Sequence, residues 1–155
     1  MAEDDIFGCR VNSSLPVFHI SVHHRKSTEC GSGGHGRLKP CPDTPNCVSS
    51  ESGTADSHRV DPLSFGGPPE QAWNELKKTL AAMGGVIVAE QAAYLHVAFT
   101  SRIFRFVDDM EFRLVSPEPL IHLRSASRVG HSDLGVNRKR VDRLREKFAE
   151  AMPKN

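Results

Sequence analysis

The sharpest chemical signal in the sequence is one carboxylate in the wrong company. In FRFVDDMEFRL (104–114) the residues alternate as a strand does, with Phe106, Asp108, Met110, Phe112 and Leu114 on one face and Val107, Asp109, Glu111 and Arg113 on the other. Asp108 is the one polar member of an apolar face, so it is expected to point inward, and a buried carboxylate needs donors around it. The stretch RSASRVGHSDLGVNRKRVDRL (124–144) offers them. Ser125 and Ser127 share the inward face of its strand, and Asn137 falls on the apolar stripe Leu134, Asn137, Val141, Leu144, Phe148 of the helix that follows. Two chemistries are open to Asp108, Ser125, Ser127 and Asn137. One is an internal polar network that fixes strand register against the helix; the other is a small pocket in which Asp108, Ser125 and Asn137 serve a hydrolase-like reaction. The structural network leads, because buried polar groups mostly satisfy one another.

On the opposite face Asp109 and Glu111 are expected across from Arg124 and Arg128. A solvated charged face explains such cross-strand pairs. Their functional counterpart is a site for a small anion or an acidic partner, built from Arg124, Arg128, Arg138, Ser132 and the first amides of the last helix. Asp133 weighs against it, as a carboxylate able to cap that helix start, and Asp109 and Glu111 can neutralise the arginines.

Other templates give less. GSGGHG follows no strand and GGPP has prolines where a phosphate loop needs amides. Ser49 or Ser50 with His58 and Asp61 has the residue types of a triad without its spacing, and Cys47 has no base supplied by spacing. His96, inside a strand, reads as structural. His19, His23, His24, Cys30 and His35 form a metal set only on paper, since such residues in a tail are mostly solvated. No cofactor, no metal and no catalytic residue is therefore expected, and a non-enzymatic binding or interaction role comes first.

These residues need elements to hold them. The chain has 155 residues and a net charge of +1, which suits one domain and argues against nucleic acid as partner. One Trp and one Tyr leave little for base stacking. No apolar run reaches the roughly 20 residues of a spanning helix, and MAEDDIFGCR lacks the basic start of a secretory signal, so the chain as given reads as soluble. Residues 1–37 read as a flexible tail and 38–152 as a single domain. Glu70–Met83 is the clearest helix, with Trp73, Leu76, Leu80 and Met83 as its stripe. Strands follow at 86–89, 94–100, 105–115 and 120–129, then a helix at 133–151. This predicts an α+β fold: an antiparallel four-stranded meander flanked by two helices, helix-grip-like in layout. Cys41 and Cys47 bracket the turn-rich PDTPN, and pair if the compartment is oxidising; two reduced thiols are the alternative.

Three blocks in order, LKPCPDTPNCVSS, FRFVDDMEFRL and RSASRVGHSDLGVNRKRV, resemble the family called domain of unknown function 1499, over Leu38 to about Phe148. The resemblance implies a bacterial envelope or plastid setting, since members often carry a lipoprotein signal or membrane segments ahead of the domain. This chain departs from that pattern. No activity attaches to the family, so the resemblance assigns no catalytic residue.

Overall fold

The computed structural model describes residues 32–33, 36–101 and 105–152. A hairpin of β1 (Ser32–Gly33) and β2 (Arg37–Leu38) leads into β3 (Cys47–Ser49), a 3-10 turn (Asp56–His58) and β4 (Leu63–Ser64). Then come α1 (Pro69–Ala82), β5 (Val86–Gln91), β6 (Tyr94–Thr100), β7 (Val107–Leu114), β8 (Leu120–Ser127) and α2 (Val136–Ala151). The fold is α+β with an antiparallel sheet. Its order is β3-β8-β7-β6-β5, and β4 also pairs with β8. The sequence predicts four strands and the sheet has six. β3 and β4 share the outer edge of β8, Cys47 lying opposite Ala126 and Leu63 opposite Ile121, and strands of three and two residues are too short to show a period.

Alternation along β6, β7 and β8 turns Leu95, Val97, Phe99, Met110, Phe112, Ile121 and Leu123 to one face. α1 meets that face with Ala72, Trp73, Leu76 and Leu80, and α2 with Val141, Leu144 and Phe148. Burying a side chain such as Phe148 stabilises the fold by about 1.5–3 kcal/mol, and that places both helices on one side of the sheet. Gly84 (φ +89°) ends α1. At Gly85 a Cβ would lie 2.6 Å from Val97 Cγ1 and 2.8 Å from Phe99 Cζ, so the turn into β5 requires glycine there.

Several expectations change. Residues 32–33 and 37 of the expected tail belong to the β1–β2 hairpin, and Leu38 beside them is buried; residues 1–31 lie outside the described residues. The last helix begins at Val136, because Leu134 (φ +54°) and Gly135 (φ +77°) turn the chain left-handed after Asp133. Leu134 therefore leaves the apolar stripe and stands 87 % exposed. Phe106 precedes β7 and is exposed too, instead of lying inward with Asp108. Cys41 and Cys47 are bonded, with Cα atoms 5.6 Å apart, while Cys9 and Cys30 lie outside the described residues. No helix among the described residues is long and apolar enough to cross a membrane.

Candidate binding site

Asn137 sits at the first turn of α2, fully buried, where the stripe would otherwise take an aliphatic side chain. Its Oδ1 accepts from Ser125 Oγ at 2.5 Å and Arg140 Nη1 at 2.9 Å. Its Nδ2 donates towards Asp133 Oδ2 (2.8 Å), Ser127 Oγ (3.0 Å) and the Asn46 carbonyl (3.1 Å). Asp133 also accepts the Asn137 and Gly135 amides, which caps the helix through its carboxylate. Asn46 closes the web from the disulfide loop: its carbonyl accepts the Ser127 amide and its Nδ2 donates to the Gly130 carbonyl. Ser125, Ser127 and Asn137 are thus brought together. Asp108 is buried as its alternation requires, but its partner is Arg140 at 2.6 Å, and that guanidinium lies 5.0 Å from the centre of the Phe99 ring. Arg140 is the link between Asp108 and Asn137.

The charged face beneath the sheet is less open than a solvated surface. Asp109 and Glu111 are each 7 % exposed. Arg128 forks onto Asp109 through Nε and one terminal nitrogen, both at 2.8 Å, and His96 Nε2 donates to the same carboxylate at 2.8 Å. Burial alone would raise the Asp109 carboxyl, but the hydrogen bonds from His96 and Arg128 outweigh it and hold it down at about 2. Arg124 pairs with Glu111 at 3.0 Å, and Tyr94 donates to that carboxylate at 2.8 Å. Arg113 forks onto Glu51 at 2.8 and 3.0 Å. Burial pushes the Glu51 carboxyl up, yet the Arg113 bonds and the Leu38 amide leave it lowered overall.

The arginines expected to share an anion site are therefore divided. Arg124 and Arg128 are bound to carboxylates on the sheet. Arg138, on α2, donates to the carbonyls of Ser57 (2.8 Å) and Arg59 (2.9 Å). Ser132 Oγ accepts the Leu134 amide, so it serves the turn before the helix.

Arg138 instead lines a cleft of about 180 Å³ between the disulfide loop, the 3-10 turn and the start of α2. Asp43, Pro45, Cys47 and Val48 line it from the disulfide loop and β3, Ser57 and His58 from the 3-10 turn, and Asp133 and Gly135 from the start of α2. His58 Nδ1 lies 2.8 Å from the Cys47 carbonyl. A carbonyl only accepts, so Nδ1 carries the proton of the neutral ring and Nε2 keeps its lone pair. Neither guanidinium terminus of Arg138 is exhausted by one carbonyl bond, since each carries a second N–H.

Residues 37–148 match a family model described as a protein of unknown function, DUF1499. The chain belongs to the DUF1499 family. No curated protein matches it. The matched span of this DUF1499 domain runs from β2 into α2 and takes in every residue of the cleft and of the Asn137 web.

Sequence reasoning missed His58, Asn46 and Arg140 as members of this DUF1499 site. Asn46 and Cys47 lie in the motif PDTPNC, so the loop was visible and its carbonyl partners were not. His58 sits in a one-turn 3-10 helix that has no periodic signal. Arg140 lies three residues after Asn137, the spacing of one helix face, which is the one cue that could have placed it beside Asp108.

Proposed function

We propose that this DUF1499 domain is a non-enzymatic binding module and that the cleft between the disulfide loop, the 3-10 turn and α2 seats a small polar ligand. The observation that carries the proposal is a set of groups unmatched among the described residues: the His58 Nε2 lone pair, the Asp43 carboxylate and the outer N–H groups of Arg138, beside apolar Pro45 and Val48. Acceptors of this kind favour a ligand that brings a hydrogen-bond donor. The small-anion or acidic-partner alternative, engaged through Arg124, Arg128, Arg138 and Ser132, draws support from Arg138 alone, because carboxylates already match Arg124 and Arg128. A bacterial envelope or organelle-membrane setting belongs to the same proposal, and the Cys41–Cys47 bond supports an oxidising compartment.

A hydrolase-like use of Asp108, Ser125 and Asn137 has less behind it. Ser125 and Asn137 are fully buried, and the hydroxyl is bonded to an amide oxygen, which is no base. The helix-grip comparison adds no seat either, since Met110, Phe112, Leu144 and Phe148 fill the space between α2 and the sheet.

Titrating the full chain with ethylammonium, acetamide and acetate while following backbone amide resonances tests the cleft. Ethylammonium or acetamide should move Val48, His58 and Gly135 saturably, and Asp43→Asn with His58→Gln should abolish the response. Shifts produced by acetate alone, centred on Arg124 and Arg128, would return the site to the sheet face; no saturable shift with any probe would remove the cleft as a seat.

A further inference from the structure

Apolar side chains gather in the open at one end of the domain. Leu134 is 87 % exposed, and Phe106, Val129 and Val136 are each between 44 % and 52 % exposed. They belong to one end because the Arg128 amide donates to the Val107 carbonyl at 3.0 Å and Asn137 Nδ2 to Ser127 Oγ at 3.0 Å, which joins the start of β7, the end of β8 and the start of α2.

Leu134 is held there. Its φ of +54° is a backbone conformation that disfavours a leucine, and the turn is fixed by the Ser132 Oγ and Asp133 carboxylate bonds on either side. Arg105, the other non-glycine with positive φ among the described residues, lies at the same end. A strained residue that presents an aliphatic side chain to water points to a use for that side chain.

The exposed charges around it that no carboxylate already holds are basic. Arg105 and Lys139 are exposed with no ion pair among the described residues, while Arg128 is exposed but paired with the buried Asp109, Asp108 is buried against Arg140, and Asp133 caps the helix. We infer that this end of the domain docks on the surface of an anionic lipid bilayer, Leu134 and its apolar neighbours entering the headgroup–acyl boundary and the basic side chains meeting lipid phosphates. A bilayer is the better fit than a folded acidic protein, because the apolar side chains project from two separate turns and a fluid layer conforms to such projections. The inference is independent of the cleft and its ligand.

Co-sedimentation of the full chain with vesicles tests it. The protein should pellet with mixed phosphatidylcholine–phosphatidylglycerol vesicles, less so as salt rises, and remain in solution with phosphatidylcholine alone. Leu134→Asn keeps the left-handed turn, which asparagine tolerates, so its thermal midpoint should not fall while vesicle affinity drops about tenfold or more. A wild type that ignores both vesicles would overturn the inference, as would Leu134→Asn binding as well as wild type, or equal binding to the neutral vesicles. Binding to polyglutamate without binding to vesicles would overturn it in favour of an acidic protein partner.

Discussion

Replacing Asn137 by Ala should be among the most damaging single changes in the domain. The amide is fully buried and bonds five groups. Four of those partners keep something. The Asn46 carbonyl still accepts the Ser127 amide, Asp133 still accepts two backbone amides, Arg140 still holds Asp108, and Ser127 is near enough to solvent to find water. Ser125 Oγ keeps no partner among the described residues and is fully buried, so its desolvation goes uncompensated at about 1–3 kcal/mol. Adding the lost bonds, which net roughly 0.5–1.5 kcal/mol each, and a small void gives a total of about 3–5 kcal/mol after allowing for non-additivity. Ser125→Ala alone should cost about 1 kcal/mol, since Asn137 Oδ1 retains Arg140. The double variant should then lose about 1–2 kcal/mol less than the sum, because no orphaned hydroxyl remains. Urea unfolding followed by circular dichroism, with the disulfide intact and unchanged m values, measures all three. A loss under about 1 kcal/mol for Asn137→Ala, or additivity within about 0.5 kcal/mol, would refute the bonding scheme.

Two further outcomes follow from the ion pairs and the disulfide. Asp109 has a pKa of 3.8 as a free side chain and about 2 when folded, so its contribution is fully present above pH ~4 and disappears as pH falls from there towards about 2; with screening at the partly exposed Arg128 allowed for, about 1–2 kcal/mol should go, and Asp109→Asn should remove that part of an acid-unfolding curve. Reducing the Cys41–Cys47 bond releases a loop closed over a separation of 6 residues, which should lower stability by about 2 kcal/mol; an unfolding midpoint unmoved by reductant would count against any restraint by that bond.

The elements with a period were legible in the sequence, and those without one were not. β6 spans Tyr94–Thr100 as alternation predicts, and α1 is displaced by one residue from its expected start because Pro69 takes the first helical position. β3 and β4 fall on VSSE and HRVDPLSF, which read as extended in the sequence, but with too few residues to alternate they joined the sheet only once β8 offered an edge. Leu134 fitted the helical stripe by spacing, but spacing is blind to the left-handed turn that delays α2 to Val136. The polar web was partly visible for the same reason. Asn137, Ser125 and Ser127 declared themselves by sitting on apolar faces. Arg140 did not, since a long side chain reaches its partner from a position that looks solvent-facing. Asp109 and Glu111 looked like ordinary surface charges, and only the pairing of three strands with the Arg124, Arg128 and His96 side chains buries them.

That web explains why α2 carries an asparagine where a leucine would pack. A leucine at 137 would attach the helix to the sheet equally well, but it would leave the Ser125 hydroxyl unpaired and remove the side-chain link from the helix to the Asn46 carbonyl. Apolar contacts alone also permit α2 to slide along the sheet, because they are not directional. The asparagine and the Asp133 cap instead fix where the helix begins, relative to β8 on one side and to the disulfide loop on the other. Asp133, Gly135 and Arg138 form one wall of the cleft, and Pro45 and Cys47 form another. The width of the cleft and the outward stance of Leu134 both depend on that starting point, so the buried polar residue serves position more than packing.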